Sequence, residues 1–264
     1  MNIKPTDHFP GPQENLSSIR LDLRSWIEVE DYLKSCKAII VPIGSTEQHG
    51  PTGAIGTDAL TAQAIGLELG RQTGVLVTPL QAFGMAEHHL GFPGTMSLRP
   101  STFLQVVHDL VVSLAKHGFE RIYFVNGHGG NIATIKAAFH EIYSSVIAQN
   151  ISVAKSLRCK VASWFTFPEV FKFAQELYGN REGQHATPSE IALTLYLHPS
   201  LAAKQKTLPE IPAAGPIYNY DDFRIRYPDG RMGSDPYLAQ ASHGKIFLEK
   251  AVSAMKLDLA SFLG

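Results

Sequence analysis

The apolar run from Lys37 to Ile43 passes straight into Gly44-Ser45-Thr46-Glu47-Gln48-His49-Gly50-Pro51, and the segment closes with Gly56-Thr57-Asp58. So short an apolar run, ended by a glycine-rich turn, reads as a strand buried in the interior of a sheet. The loop then delivers a carboxylate, an imidazole and a second carboxylate to the strand's carboxyl end. Oxygen and nitrogen donors gathered in that position are what a divalent-metal site requires. The chain reads first as a metalloenzyme.

The remaining pattern repeats the alternation of strand and helix. Helices are expected over Ser25 to Lys34, Asp58 to Gln72, Pro100 to Gly118, Ile132 to Gln149, Pro188 to Leu197 and Pro236 to Phe262, the last interrupted at His243-Gly244. Strands are expected over Val75 to Leu80, Arg121 to Val125 and Lys160 to Phe165. In the helix opened by Pro100, Phe103, Val106, Val107, Leu110, Val111 and Leu114 share one apolar face. The implied fold is α/β: a single domain, residues 1–264, with a mostly parallel central sheet and helices on both faces. Ligands in such sheets lie beyond the strands' carboxyl ends. The loops Glu47 to Asp58 and Asn126 to Asn131 can therefore converge on one crevice.

Composition narrows the partners. Among 264 residues, 23 Lys and Arg stand against 24 Asp and Glu, so neither a nucleic-acid surface nor an anionic-membrane patch is expected, and a small-molecule substrate is. Cys36 and Cys159 are too far apart to suggest a disulfide framework or a thiolate zinc site, which fits a reducing cytoplasm. Residues 1–18, polar and proline-rich, read as a surface arm without a signal peptide or membrane span.

Each candidate ligand also has a plain structural reading. Glu47 and His49, two apart on an extended segment, point the same way and can share a metal, or they are a solvated loop. Asp58 stands where an aspartate caps a helix. His128, in Asn126-Gly127-His128-Gly129-Gly130-Asn131, either meets a ligand that the glycines let approach or bonds its own turn. The same glycines can form an amide nest for a phosphosugar, with Arg181, Arg224 and Arg226 as its basic pocket, although no P-loop pattern follows. Thr187, Pro188 and Glu190 form a capping box that accounts for Glu190 without a metal. His108, His117 and His140 are given no role.

Taken together, Pro42 to Pro51 with Gly56-Thr57-Asp58, His89-Leu90-Gly91-Phe92-Pro93-Gly94-Thr95, Asn126 to Asn131, His185 to Glu190 and Gly233-Ser234-Asp235-Pro236 resemble the creatininase family. The resemblance implies a hydrolase of non-peptide carbon–nitrogen bonds with two divalent metal ions, zinc or manganese with iron as a further candidate, and a homo-oligomer, commonly a hexamer. By position, it implies Glu47, His49, Asp58 and His128 as metal ligands, with Asp58 bridging, and His185 near the scissile bond. Two departures follow. Gly130 stands where creatininase proper has a glutamate, which makes Glu190 the substitute ligand, and Thr52 stands where many members carry histidine.

The expected reaction is hydrolysis of a cyclic or formyl amide of a small polar molecule, with His185 delivering a proton to the leaving nitrogen. A formylaminopyrimidine-type deformylase and a catalytically weak metal-containing binding or sensor protein are the alternatives. Phe165, Phe167 and Phe171, following Trp164, suggest an aromatic wall beside the site.

Overall fold

The computed structural model describes residue 16, residues 18–210 and residues 213–264. Residues 1–15 of the expected surface arm lie outside the described residues, whereas Leu16 is buried in the core. Four strands, β1 (Ala38–Ile43), β2 (Leu76–Val77), β3 (Arg121–Asn126) and β4 (Arg158–Ser163), form one sheet in the order β2-β1-β3-β4 with every pairing parallel. All six residues of β1 are buried. That is the requirement of a central strand covered on both sides.

The helices are α1 (Trp26–Leu33), α2 (Thr57–Thr73), α3 (Pro100–Lys116), α4 (Asn131–Ala148), α5 (Pro168–Tyr178), α6 (Pro188–Leu197), α7 (Tyr220–Arg226) and α8 (Ala241–Leu263). Alternation along β1 divides the core. Ile39, Val41 and Ile43 pack with Phe103, Val107 and Val111 of α3 and with Ile135 and Ile142 of α4. Ala38 and Ile40 face the other way, toward Ile65 and Leu69 of α2, Ile191 of α6 and Phe247 and Met255 of α8. The expected three-layer α/β fold is thus the one observed. No helix among the described residues is long and apolar enough to cross a membrane.

Several boundaries differ from the sequence reading for identifiable reasons. The strand expected over Val75 to Leu80 pairs only at Leu76–Val77, because Pro79 lacks the N–H a ladder needs, and regular bonding resumes when Gln81 N–H donates to Pro42 O at 3.0 Å. The last helix starts at Ala241 and runs uninterrupted through His243 and Gly244, where Gly244 allows its backbone to lie against Ala192 of α6. Two short elements were not anticipated: α5, which begins at Pro168, and α7, capped by Asn219 Oδ1 accepting from Asp221 and Asp222 N–H at 3.0 and 2.9 Å.

The strand order fixes where a site can form. From β1 the chain moves outward to β2, then returns to β3 on the opposite side and continues to β4. The connections leave β1 and β3 in opposite directions, which opens a crevice beyond the carboxyl ends of these neighbouring strands. Ile43 and Asn126, the last residues of the two strands, are register partners. Both ligand-rich loops therefore leave the sheet at the same level.

Candidate metal centre

Close backbone approach brings the two loops together. Gly127 packs so tightly that a side-chain carbon there would overlap the Asp58 carbonyl oxygen. The turn is stapled from inside. Asn126 Nδ2 donates to His128 O at 2.7 Å and to Ser163 Oγ at 2.9 Å, while Asn131 Nδ2 donates to Gly44 O at 3.0 Å. These two asparagines are fully buried, and they set where His128 sits. Sequence reasoning noted their motif but gave them no part.

The side chains named from the sequence converge. His49 Nε2 lies 3.0 Å from Asp58 Oδ1 and 3.8 Å from Glu190 Oε1, and His128 Nδ1 lies 3.0 Å from Asp58 Oδ2. Glu47 Oε2 is 3.2 Å from His128 Nε2, and Glu47 Oε1 is 3.7 Å from His185 Nδ1. Asp58 thus turns one carboxylate oxygen to each histidine. It does not cap α2, whose N-cap is Gly56 without a side-chain bond. Glu190, by contrast, both completes the capping box, accepting from Thr187 N–H at 2.6 Å, and faces His49. The backbone turns at Ala186, in the left-handed region at φ 55°, so that His185 leaves the line of α6 and leans over the cluster. A non-glycine residue there costs about 1–2 kcal/mol.

Three imidazoles share one arrangement. His49 Nδ1 is 3.0 Å from Glu47 O, His128 Nε2 is 2.9 Å from Met85 O, and His185 Nε2 is 2.7 Å from Gln48 O. Each carbonyl can only accept, so each of these ring nitrogens carries hydrogen, and the opposite nitrogen faces a carboxylate, Asp58 for His49 and His128 and Glu47 for His185, while Glu47 Oε2 lies on the N–H side of His128. That is how metal-binding histidines are held, one N–H on a backbone carbonyl and the other nitrogen directed at the ion.

The donor set fits divalent cations on an independent observation. Glu47 Oε1, Glu47 Oε2 and Asp58 Oδ2 are buried without a hydrogen-bond partner, an arrangement costly for carboxylates unless positive charge is supplied. Two sets of ligand atoms, Glu47/Asp58/His128 and His49/His185/Glu190, each lie within 4.8 Å of one another. Without cations, protons provide the compensation. Burial opposes charge on His49, but Asp58 and then Glu190 outweigh it and push its pKa to about 10; Glu47 and Asp58 push that of His128 to about 9. Burial likewise raises Glu47 and Glu190 to about 7 against the nearby His128 and His49, while Asp58, held by His49 despite its burial, stays well below the usual carboxylate range.

These shifts set a direction for metal binding. At neutral pH His49 and His128 carry the protons that an incoming cation must displace, so proton competition weakens binding as pH falls below about 9 and disappears above the two raised pKa values. Zinc added to metal-free protein at pH 7 in weak buffer should release protons, and its apparent affinity should rise steeply from pH 6 to pH 8. Calorimetry in buffers of different ionisation enthalpy checks both.

Gly130 has a steric explanation. A side-chain carbon there would overlap His128 Nε2 and stand 2.7 Å from Met85 O, so this backbone leaves no room for the glutamate that the family resemblance leads one to expect there. Gly130→Glu should destabilise the fold by about 1–3 kcal/mol through overpacking, read from urea denaturation, and should displace His128 instead of adding a ligand.

The centre opens into a cavity of about 440 Å³ lined by Trp164, Phe165, Phe171, Ile217 and Met232 on its apolar side, with His88, Gln175, Glu182 and Gln184 as polar groups. Phe167 is turned away into the core, which corrects its expected place in the aromatic wall. Among the described residues no lysine or arginine lines this cavity. Arg181 pairs with Asp235, Arg224 lies over the Phe92 ring and Arg226 pairs with Asp222, so the basic pocket of the phosphosugar reading is not formed. The sequence reading also gave no role to His88 and His89, which stand on a one-turn 3₁₀ helix over Glu87–His89. His89 Nε2 is 3.2 Å from Glu47 Oε1, and burial holds both His89 and His185 well below the ordinary histidine pKa.

Comparison with known proteins bears directly on this geometry. A family model described as "Creatininase: Creatinine amidohydrolase" matches residues 22–256. Creatinine amidohydrolase of Pseudomonas putida is 27% identical over 250 residues, covering 88% of this chain and 92% of that one. A solved manganese form of creatininase superposes with a TM-score of 0.83 at 25% identity, covering 93% of this chain and 99% of the other. A creatininase variant of Zn–Zn type superposes with a TM-score of 0.80, also at 25% identity, covering 93% and 98%.

Proposed function

Because this chain belongs to the creatininase family, we propose that it is a binuclear metal-dependent amidohydrolase cleaving a cyclic or formyl amide of a small polar molecule. Membership carries the coarser statement: it is a hydrolase of carbon–nitrogen bonds other than peptide bonds, and its cofactor is a divalent metal, zinc or manganese. The observation that carries the two-metal reading is the division of Asp58, Oδ1 toward His49 and Oδ2 toward His128, each 3.0 Å away. Glu47, Asp58 and His128 would hold one cation, and His49 with Asp58 and Glu190, whose carboxylate oxygens lie 3.0 and 3.8 Å from His49 Nε2, would hold the other.

Bound divalent cations lower the pKa of a coordinated water from about 16 to about 7 and polarise a carbonyl oxygen. The protein supplies position and proton transfer. In the tautomer that the Gln48 carbonyl requires, His185 keeps the Nε2 proton on Gln48 O and turns a bare Nδ1 to the centre, so it must accept before it can donate. The attacking water gives its proton to His185 Nδ1 as its oxygen adds to the amide carbon. When the carbon–nitrogen bond breaks, that proton passes to the leaving nitrogen, which is far too basic to depart as an anion. Trp164, Phe165 and Phe171 wall the cavity and exclude bulk water from the substrate's body.

Gly130 is the support for the catalytically weak alternative, and the Glu190 carboxylate, 3.8 Å from His49, argues against it as a group that would be available to a second cation. Because the site differs from creatininase proper at Gly130, creatinine should be a poor substrate, turned over well below the usual enzymatic range of about 1–1000 per second. Metal analysis of purified protein followed by an ammonia- and formate-release screen over cyclic amides and formylaminopyrimidines tests the reading; formate release would select the deformylase branch. Absence of release from every cyclic and formyl amide at full metal loading would overturn it.

We also infer self-association, the family resemblance implying a hexamer. Leu23, Trp26 and Ile27, on and beside α1, are 51, 71 and 60% exposed, an apolar face that another protomer would cover. Light scattering should return a mass well above the 28.9 kDa of one chain.

A further inference from the structure

Between the two outer metal-loop residues stands Gln48, buried, with its carboxamide at the junction of three segments. Its Oε1 accepts from Gly50 N–H at 2.8 Å, and its Nε2 lies 3.0 Å from Gly230 O. A flipped amide would set oxygen against the Gly230 carbonyl and NH₂ against the Gly50 N–H. The amide orientation is therefore fixed by two backbone groups that each have only one role.

Its Nε2 also lies 2.9 Å from His89 Nδ1 and 2.9 Å from His185 Nε2, which makes three neighbours for two hydrogens. The Gln48 backbone resolves the count. His185 Nε2, 2.7 Å from Gln48 O, must carry hydrogen and cannot accept another. The amide hydrogens go to Gly230 O and to His89 Nδ1. Neutral His89 then keeps its own proton on Nε2, the atom 3.2 Å from Glu47 Oε1.

We propose that Gln48 is a positioning residue that locks His89 in the Nε2–H tautomer, so that the ring presents its N–H side, not a bare nitrogen, to Glu47 Oε1 across 3.2 Å without closing a hydrogen bond on it, and Glu47 stays available to a cation. Glu47, His89 and His185 have ligand atoms within 4.8 Å of one another and could be taken for a third cation site. The Gln48 amide decides otherwise, because a ring nitrogen that carries hydrogen is not a ligand. Phe223 holds the other side of the His89 ring edge-on at 4.8 Å, and the His185 ring stacks on it at 4.2 Å. The proposed effect on metal affinity rests on Glu47 being a ligand, whereas the tautomer assignment does not.

Long-range proton–nitrogen NMR of metal-free protein labelled at histidine, at about pH 8 where His89 and His185, held below the ordinary histidine pKa by burial, are neutral, reads the tautomers of these two rings directly. The expected result is hydrogen on Nε2 of both His89 and His185. Gln48→Glu, which replaces the donor with an acceptor, should move the His89 proton to Nδ1 and leave His185 unchanged, since His185 is anchored by the backbone of residue 48. Gln48→Met should give a mixed His89 population. Zinc affinity should fall 10–100-fold in both variants, the usual loss when a group that orients a ligand is removed. An Nδ1–H tautomer for His89 in the unmodified protein would overturn the proposal, and that spectrum decides even if the variants fail to fold. So would an unchanged His89 tautomer in both variants. Undiminished zinc binding in Glu47→Ala would instead refute the metal assignment of Glu47 and leave the tautomer result standing.

Discussion

Asp58→Ala should abolish activity more completely than any other single substitution in this protein, lowering turnover by at least about 10³-fold, or roughly 4 kcal/mol of transition-state stabilisation. The reason is that one side chain serves two sites. Its Oδ1 lies 3.0 Å from His49 Nε2 and its Oδ2 lies 3.0 Å from His128 Nδ1, so removal leaves both proposed metal positions short of a ligand at once. Zinc content should drop at both positions, which elemental analysis after dialysis reads directly. Folding should survive, because α2 is capped without this side chain. Full metal content in the variant would show that Asp58 does not bridge.

His185→Asn should lower turnover by about 10²–10⁴ while both metals are retained. The effect should depend on the substrate. An amide with a poor leaving group needs the proton that His185 Nδ1 takes up and returns, whereas an activated amide departs nearly unaided and should lose less. Equal losses on both substrates would indicate positioning instead of proton transfer. Loss of one metal would make His185 a ligand alongside His49 and Glu190, from which its ring is no farther than 4.8 Å.

Much of this was legible in the sequence because local signals and long-range demands agreed. The all-apolar β1 had to be central, and a ligand-rich loop directly after it had to sit at the crevice. Glu190 was legible twice, as a capping residue and as a candidate ligand, and in the structure it completes the capping box while its Oε1 lies 3.8 Å from His49 Nε2. Asp58 was the misleading case, since a helix-start aspartate normally caps its helix; here Gly56 occupies the cap position and frees the carboxylate. What could not be read were features made by contact between distant segments. The carbonyls that fix the histidine tautomers belong to Glu47, Gln48 and Met85, and backbone carbonyls carry no sequence signature. His89 approaches Glu47 only because Gln48 and Phe223 hold it there, across separations of 41 and 134 residues. The steric closure at Gly130 likewise depends on Met85, on another loop.

The two-metal reading is the claim on which the rest depends, and anomalous diffraction at the zinc edge from crystals grown with zinc tests it most directly. Two peaks roughly 3.5–4 Å apart are expected, the spacing usual for two-metal hydrolytic centres. One should lie among Glu47, Asp58 and His128 and the other among His49, Asp58 and Glu190. A single peak, or two peaks with Glu190 turned away from both, would contradict the account.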